Sequence, residues 1–156
     1  MKKIAVFPGS FDPITIGHES IIKRAIPLFD KIYVAVGVNS YKTSLFTLEK
    51  RIEWLKKVFE DEPSIVVDSF SGLTVDYCKK VDAKYILRGL RTSADFEFER
   101  SVGQINKQIY ENIETVFFLS AITHTPLNSS IVRDILKNNG DVSKFIPQKI
   151  QGLIKL

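Results

Sequence analysis

A stretch near the start of the chain, FPGSFDPITIGH from Phe7 to His18, gathers two glycines, two hydroxyls and an imidazole between a short apolar run and a helix-like one. Gly9 and Gly17 permit tight turns and close backbone approach, and Ser10 and Thr15 offer hydroxyl donors. Helical geometry puts His18 in the first turn of the following helix, on the same side as Thr15. A helix N-terminus favours anions through its free N–H groups and its macrodipole. The chemistry that this set serves is anion, and above all phosphate, binding. A lone Gly-His pair is more often a structural loop with a surface histidine, but the whole string at a helix mouth points to a ligand. Its spacing is neither GxGxxG nor GxxxxGK[ST], which sets it apart from dinucleotide and P-loop sites.

A second set is ILRGLR, Ile86 to Arg91, where a strand ends in Arg88 and a glycine separates it from Leu90 and Arg91. Guanidinium groups suit bidentate contacts with phosphate. Asn128, Ser129 and Ser130 open a further helix with an N-cap and two hydroxyls, a possible second anion site. The acids of DFEFE are less telling. On a helix Asp95 and Glu99 share a face while Glu97 points elsewhere, so with no His or Cys nearby a solvated acidic turn is favoured over a metal site. Phe98, Val102, Ile105 and Ile109 have helical spacing and read as core. Lys42, in the polar stretch NSYKTS, reads on its own as solvated.

These residues need a scaffold, and the chain alternates strand-like and helix-like patterns. Strands are expected at Lys3–Phe7, Lys31–Val38, Ser64–Ser69, Tyr85–Arg88 and Thr115–Leu119, as apolar runs covered on both faces. Helices are expected at Gly17–Phe29, Leu48–Glu60, Leu73–Lys80, Ala94–Glu111 and Ser129–Asn138, with a last one from Pro147. Thr47 and Ser93 are the expected N-caps of the second and fourth helices, and Gly140 follows the fifth. Such β/α alternation implies an α/β fold: a Rossmann-like, doubly wound, five-stranded parallel sheet with right-handed crossovers. In the common strand order 3-2-1-4-5 the first and fourth strands are neighbours, and a crevice opens beyond their carboxyl ends. The Phe7 and Arg88 loops then face each other there, with the loop after Leu119 next door.

Composition agrees with an enzyme or binding protein of ordinary type. The chain has 156 residues, 44% hydrophobic and 26% charged, which reads as one globular domain over 1–156. Lys and Arg total 22 against 18 acids; a net charge of +4 suits an anionic ligand but is too small to imply nucleic acid. The single cysteine, Cys78, excludes an internal disulfide and reads as a buried, inert helix residue. No apolar stretch has the length of a membrane span or a signal-peptide core, so a cytoplasmic location is the expectation.

The string Phe7–His18 resembles the signature of the HxGH nucleotidyltransferase superfamily, with Thr15 where the fuller motif has His. PGSFDPITIGH, Lys42, ILRGLR and DFEFE together resemble the bacterial phosphopantetheine adenylyltransferases over nearly the whole chain. That resemblance implies transfer of the adenylyl group of ATP to 4′-phosphopantetheine, giving dephospho-coenzyme A and pyrophosphate. It implies catalytic roles for His18, Lys42 and Arg91, and acceptor binding by Ser10, Lys42, Thr74 and Arg88. ATP would be met by the first loop (Gly9, Ser10, Phe11, Gly17, His18) and by Gly89, Leu90, Arg91 and Glu99. Asn128, Ser129 and Ser130 would complete the nucleotide side, with His124 lining the adenine. Phe70 to Thr74 would line the pantetheine arm. Mg²⁺ bound mainly through nucleotide phosphates and water, no protein metal ligands and a homohexamer are further implications. Two alternatives stay open on the residues alone: a related enzyme acting on nicotinamide mononucleotide or an alcohol phosphate, and a non-catalytic nucleotide sensor.

Overall fold

The computed structural model describes residues 1–156. Five parallel strands form one sheet: β1 (Ile4–Gly9), β2 (Lys31–Val38), β3 (Ile65–Ser71), β4 (Tyr85–Leu90) and β5 (Glu114–Leu119). Their order is β3-β2-β1-β4-β5, the expected one. The helices α1 (Ile16–Ala25), α2 (Leu48–Val58), α3 (Thr74–Lys80), α4 (Ser93–Ile109) and α5 (Ser129–Lys137) follow the strands in turn. A large core forms where α1, α2, α5 and the C-terminal segment meet the sheet, around Ile22, Val34, Leu55, Leu87 and Val132. A smaller cluster around Val6, Ala35, Val75, Cys78 and Ile86 closes the other face beneath α3. Cys78 is fully buried there, and burial pushes its thiol up to about 12, which leaves it unreactive.

Several boundaries differ from the sequence expectation for identifiable reasons. The first helix ends at Ala25 and tightens into a 3₁₀ turn over Ile26–Leu28, because Pro27 lacks the N–H that an α-helix would use. Thr92, not Ser93, caps α4, its hydroxyl accepting from the Asp95 N–H at 3.2 Å. After α5 the left-handed residue is Asn139 (φ 58°), while Gly140 donates to Ile135 O at 2.8 Å. Glycine is needed at 140 for space, since a Cβ there would lie 2.5 Å from Ile135 Cγ2.

The helix expected from Pro147 is a single 3₁₀ turn, Gln148–Ile150. Gly152 at φ 82° reverses the chain after it, so that both Ile150 and Ile154 reach the core. Strand β4 runs on to Leu90, so Gly89 and Leu90 belong to the sheet and only Arg91 stands beyond it.

The largest correction concerns α4. Phe98, Val102, Ile105 and Ile109 are not core: they are 69%, 38%, 53% and 46% exposed. Glu99 is the one buried residue of this helix. The helix therefore turns Glu99 into the crevice, sets Phe98 and Val102 along its larger part, and leaves Ile105 and Ile109 exposed. Periodicity identifies an apolar stripe but cannot say what covers it.

Candidate active site

At the carboxyl ends of β1 and β4 the expected crevice is present as a continuous groove with two parts. One, of about 360 Å³, is lined by the first loop, by His18, Gly89 and Arg91, and by residues 120–133. The other, of about 680 Å³, is bounded by residues 37–42, Phe70, Gly72, Thr74 and the inward side of α4. Pro8, Gly9, Ser10, Lys42, Arg88 and Glu99 line both, and so mark the junction.

The N-terminus of α1 fixes the histidine. Thr15 is its N-cap, and its hydroxyl accepts from the His18 N–H at 3.4 Å. In return the Thr15 N–H donates to His18 Nδ1 at 3.1 Å, completing a capping box with histidine in the position usually held by Glu or Gln. A backbone N–H can only donate, so Nδ1 accepts and the neutral ring carries its proton on Nε2. Desolvation, reinforced by the guanidiniums of Arg88 and Arg91, holds the His18 pKa down at about 4. The imidazole is thus a neutral Nε2–H donor at physiological pH. Phe11, buried at φ 46°, packs its ring edge to face against His18, with centroids 5.2 Å apart. A Cβ on Gly9 would lie 3.0 Å from that same ring, so the loop lies directly on Phe11.

The rest of the first loop is tied down by groups that the sequence did not single out. The buried Arg51 donates to Ser10 O at 2.7 Å, and Arg133 donates to Asp12 O at 2.8 Å. The Asp12 carboxylate accepts from the N–H groups of Leu45 and Phe46 at 2.8 and 2.9 Å. That couples the loop to the segment carrying Lys42, whose exposed ammonium has no hydrogen bond or ion pair within the chain. Asn128 caps α5 by accepting from Ile131 N–H, and Ser129 Oγ donates to Pro13 O at 2.9 Å. Two helix N-termini, of α1 and α5, are thereby held against the same loop, a strong setting for phosphate.

Both arginines of ILRGLR reach the groove, and each meets an acid of α4. Arg88 pairs side-on with Glu99, Nε at 2.8 Å and Nη2 at 2.6 Å, and its Nη1 donates to Pro8 O at 2.9 Å. Arg91 meets Asp95 more loosely, Nε at 3.1 Å and Nη2 at 3.4 Å. Gly89 between them leaves room for the Ile21 side chain of α1, which a Cβ there would meet. Arg133, Asp12 and Arg51 are residues that sequence reading passed over, and Asp95, read as part of a solvated acidic turn, instead pairs with Arg91. Only Asp95, on the Glu99 face of a helix beside two arginines, left a usable signal.

The structure thus brings Gly9, Ser10, Phe11, Gly17, His18, Lys42, Arg88, Gly89, Arg91, Glu99, His124, Asn128, Ser129 and Ser130 around the smaller part of the groove. Thr74, the first residue of α3, lies along the larger part. Leu90 is buried in β4 and lines neither part. No group of three or more His, Cys, Asp or Glu is placed to hold a metal. No helix is long and apolar enough to cross a membrane.

Comparison with known proteins adds an independent line. The family model described as cytidylyltransferase-like matches residues 6–135. A phosphopantetheine adenylyltransferase of Flavobacterium psychrophilum is 52% identical over 151 residues, covering 97% of this chain and 99% of that relative. One from Lachnoclostridium phytofermentans is 46% identical, covering 97% and 93%. Among solved structures, a chain described as a candidate nicotinate-nucleotide adenylyltransferase from Vibrio parahaemolyticus superposes with a TM-score of 0.74. At 19% identity over 98% of both chains, it bears on the fold alone. Identity at this level along nearly the entire length, joined to the groove just described, leads to one conclusion: this chain belongs to the phosphopantetheine adenylyltransferases, within the cytidylyltransferase-like family.

Proposed function

We propose that this adenylyltransferase moves the AMP part of ATP onto the phosphate of 4′-phosphopantetheine by direct in-line displacement, giving dephospho-coenzyme A and pyrophosphate. The acceptor's phosphate oxygen attacks the α-phosphorus, and the bond to the pyrophosphate breaks on the opposite side. A phosphate is already ionised at neutral pH and needs no general base, so catalysis rests on positioning and charge stabilisation. The observation that carries this reading is His18: a neutral Nε2–H donor, locked by its own helix cap, beside Arg88 and Arg91. Such a donor can stabilise charge growing on the α-phosphate without exchanging a proton.

In this proposal Ser10, Lys42 and Arg88 hold the acceptor phosphate, and Thr74 helps to line its arm. Arg91, Ser129 and Ser130 take the leaving pyrophosphate, while Gly9, Gly17, Asn128 and His124 shape the nucleotide side. The size of the part bounded by Phe70 and Thr74, about 680 Å³, supports a long acceptor arm. Mg²⁺ would accompany the triphosphate and neutralise its charge. The groove carboxylates of Asp95 and Glu99 are already engaged by arginines, which favours phosphate and water oxygens as its ligands. A homohexamer and a cytoplasmic location belong to the same reading. The exposed Ile105 and Ile109 of α4 support self-association, since such a surface is costly to leave in water. The deciding experiment measures pyrophosphate release from ATP with each acceptor in turn. Release with 4′-phosphopantetheine, and not with nicotinamide mononucleotide or an alcohol phosphate, is the expected result.

A further inference from the structure

Family resemblance makes Glu99 a nucleotide contact, but its surroundings favour a different task. Both carboxylate oxygens accept from one guanidinium, at 2.8 and 2.6 Å, and the residue is only 9% exposed. Arginine has five N–H donors. In Arg88 the Nε and one Nη2 hydrogen go to Glu99, and one Nη1 hydrogen goes to Pro8 O at 2.9 Å. One hydrogen remains on each Nη nitrogen. These two can serve an incoming phosphate, and they lie where both parts of the groove meet.

We propose that Glu99 is a positioning residue that holds Arg88 by its side edge, so that the remaining donors are aimed at the acceptor phosphate. This rests on the reading of Arg88 as an acceptor ligand. Glu99 then acts on the acceptor through Arg88 and stays paired with it throughout the reaction. Asp95 offers a contrast. Its contacts with Arg91 are longer, at 3.1 and 3.4 Å, and Arg91 Nη1 donates to Leu127 O at 3.4 Å.

A double-mutant cycle on the full enzyme tests the assignment, with thermal melting of each variant to verify folding. Arg88→Ala alone comes first and must raise the KM for 4′-phosphopantetheine; no change would overturn the reading of Arg88 and the proposal with it. Given that rise, Glu99→Gln is expected to raise the acceptor KM about tenfold while the KM for ATP stays within about twofold. In the Arg88→Ala background the same substitution should leave the acceptor KM unaltered within about twofold. Glu99→Ala serves as the second variant if Glu99→Gln does not fold. A raised KM for ATP that persists without Arg88 would make Glu99 a nucleotide contact and overturn the proposal, leaving Arg88's role intact. A lowered acceptor KM would do so too, since it would mean that Glu99 competes with the phosphate.

Discussion

The two parts of the groove are built by different means. The nucleotide side is made of backbone: two capped helix N-termini, a glycine loop and a histidine whose ring is one half of a capping box. The acceptor side is made of side chains and a polar stretch, with the unpaired Lys42 over a wider space of about 680 Å³. The arginines run the other way, since the one at the junction is held by Glu99 at 2.6 and 2.8 Å while the one on the nucleotide side meets Asp95 at 3.1 and 3.4 Å.

Removing His18 is the severest way to break that contrast. His18→Ala should lower kcat by about a hundred- to a thousandfold, the usual loss for one preorganised donor, with ATP binding nearly unchanged. Steady-state turnover beside equilibrium ATP binding checks this; turnover within a few-fold of the parent would remove the histidine from the chemistry. Next in size are the arginines, each costing on the order of 2–3 kcal/mol. Arg88→Ala should act mainly on the acceptor KM, whereas Arg91→Ala should weaken ATP use and lower kcat as well. Identical defects, measured by varying each substrate separately, would merge the two sides into one anion site.

Smaller effects sharpen the picture. The His18 ring should titrate by NMR near pH 4 in the free protein, well below the ordinary 6.5. The sign follows from linkage: the folded state disfavours the proton, so the stability due to neutral His18 is whole above about 6.5 and is lost as the pH falls towards 4. A midpoint near 6.5 would show that the ring is solvated. Thr15→Ala should cost about 1 kcal/mol of stability by denaturant unfolding, through loss of the cap hydroxyl. Its backbone N–H would still hold Nδ1, so kcat should change far less than in His18→Ala. Cys78→Ala, at a buried residue that lines neither part of the groove, should leave turnover as it is; a large loss in a folded variant would reveal a misread nucleophile.

The sequence by itself determined the alternation of strands and helices and the phosphate-suited make-up of the loops after Phe7 and Arg88, from apolar runs, N-caps, glycines and hydroxyls each carried by a few neighbouring residues. The strand order rested on the common pattern of such chains, and Lys42, Thr74 and His124 on family resemblance. Pairing across the chain was decided by the tertiary structure. Whether Glu99 met solvent, nucleotide or Arg88 depended on where α4 lay against β4, and so did the exposure of Phe98, Val102, Ile105 and Ile109. The buried Asp12 is equally silent in one dimension, because its partners, the N–H groups of Leu45 and Phe46, lie more than thirty residues away. The charge of His18 was likewise settled in space, since desolvation and two guanidiniums reach the ring only after β1, α1 and β4 have come together.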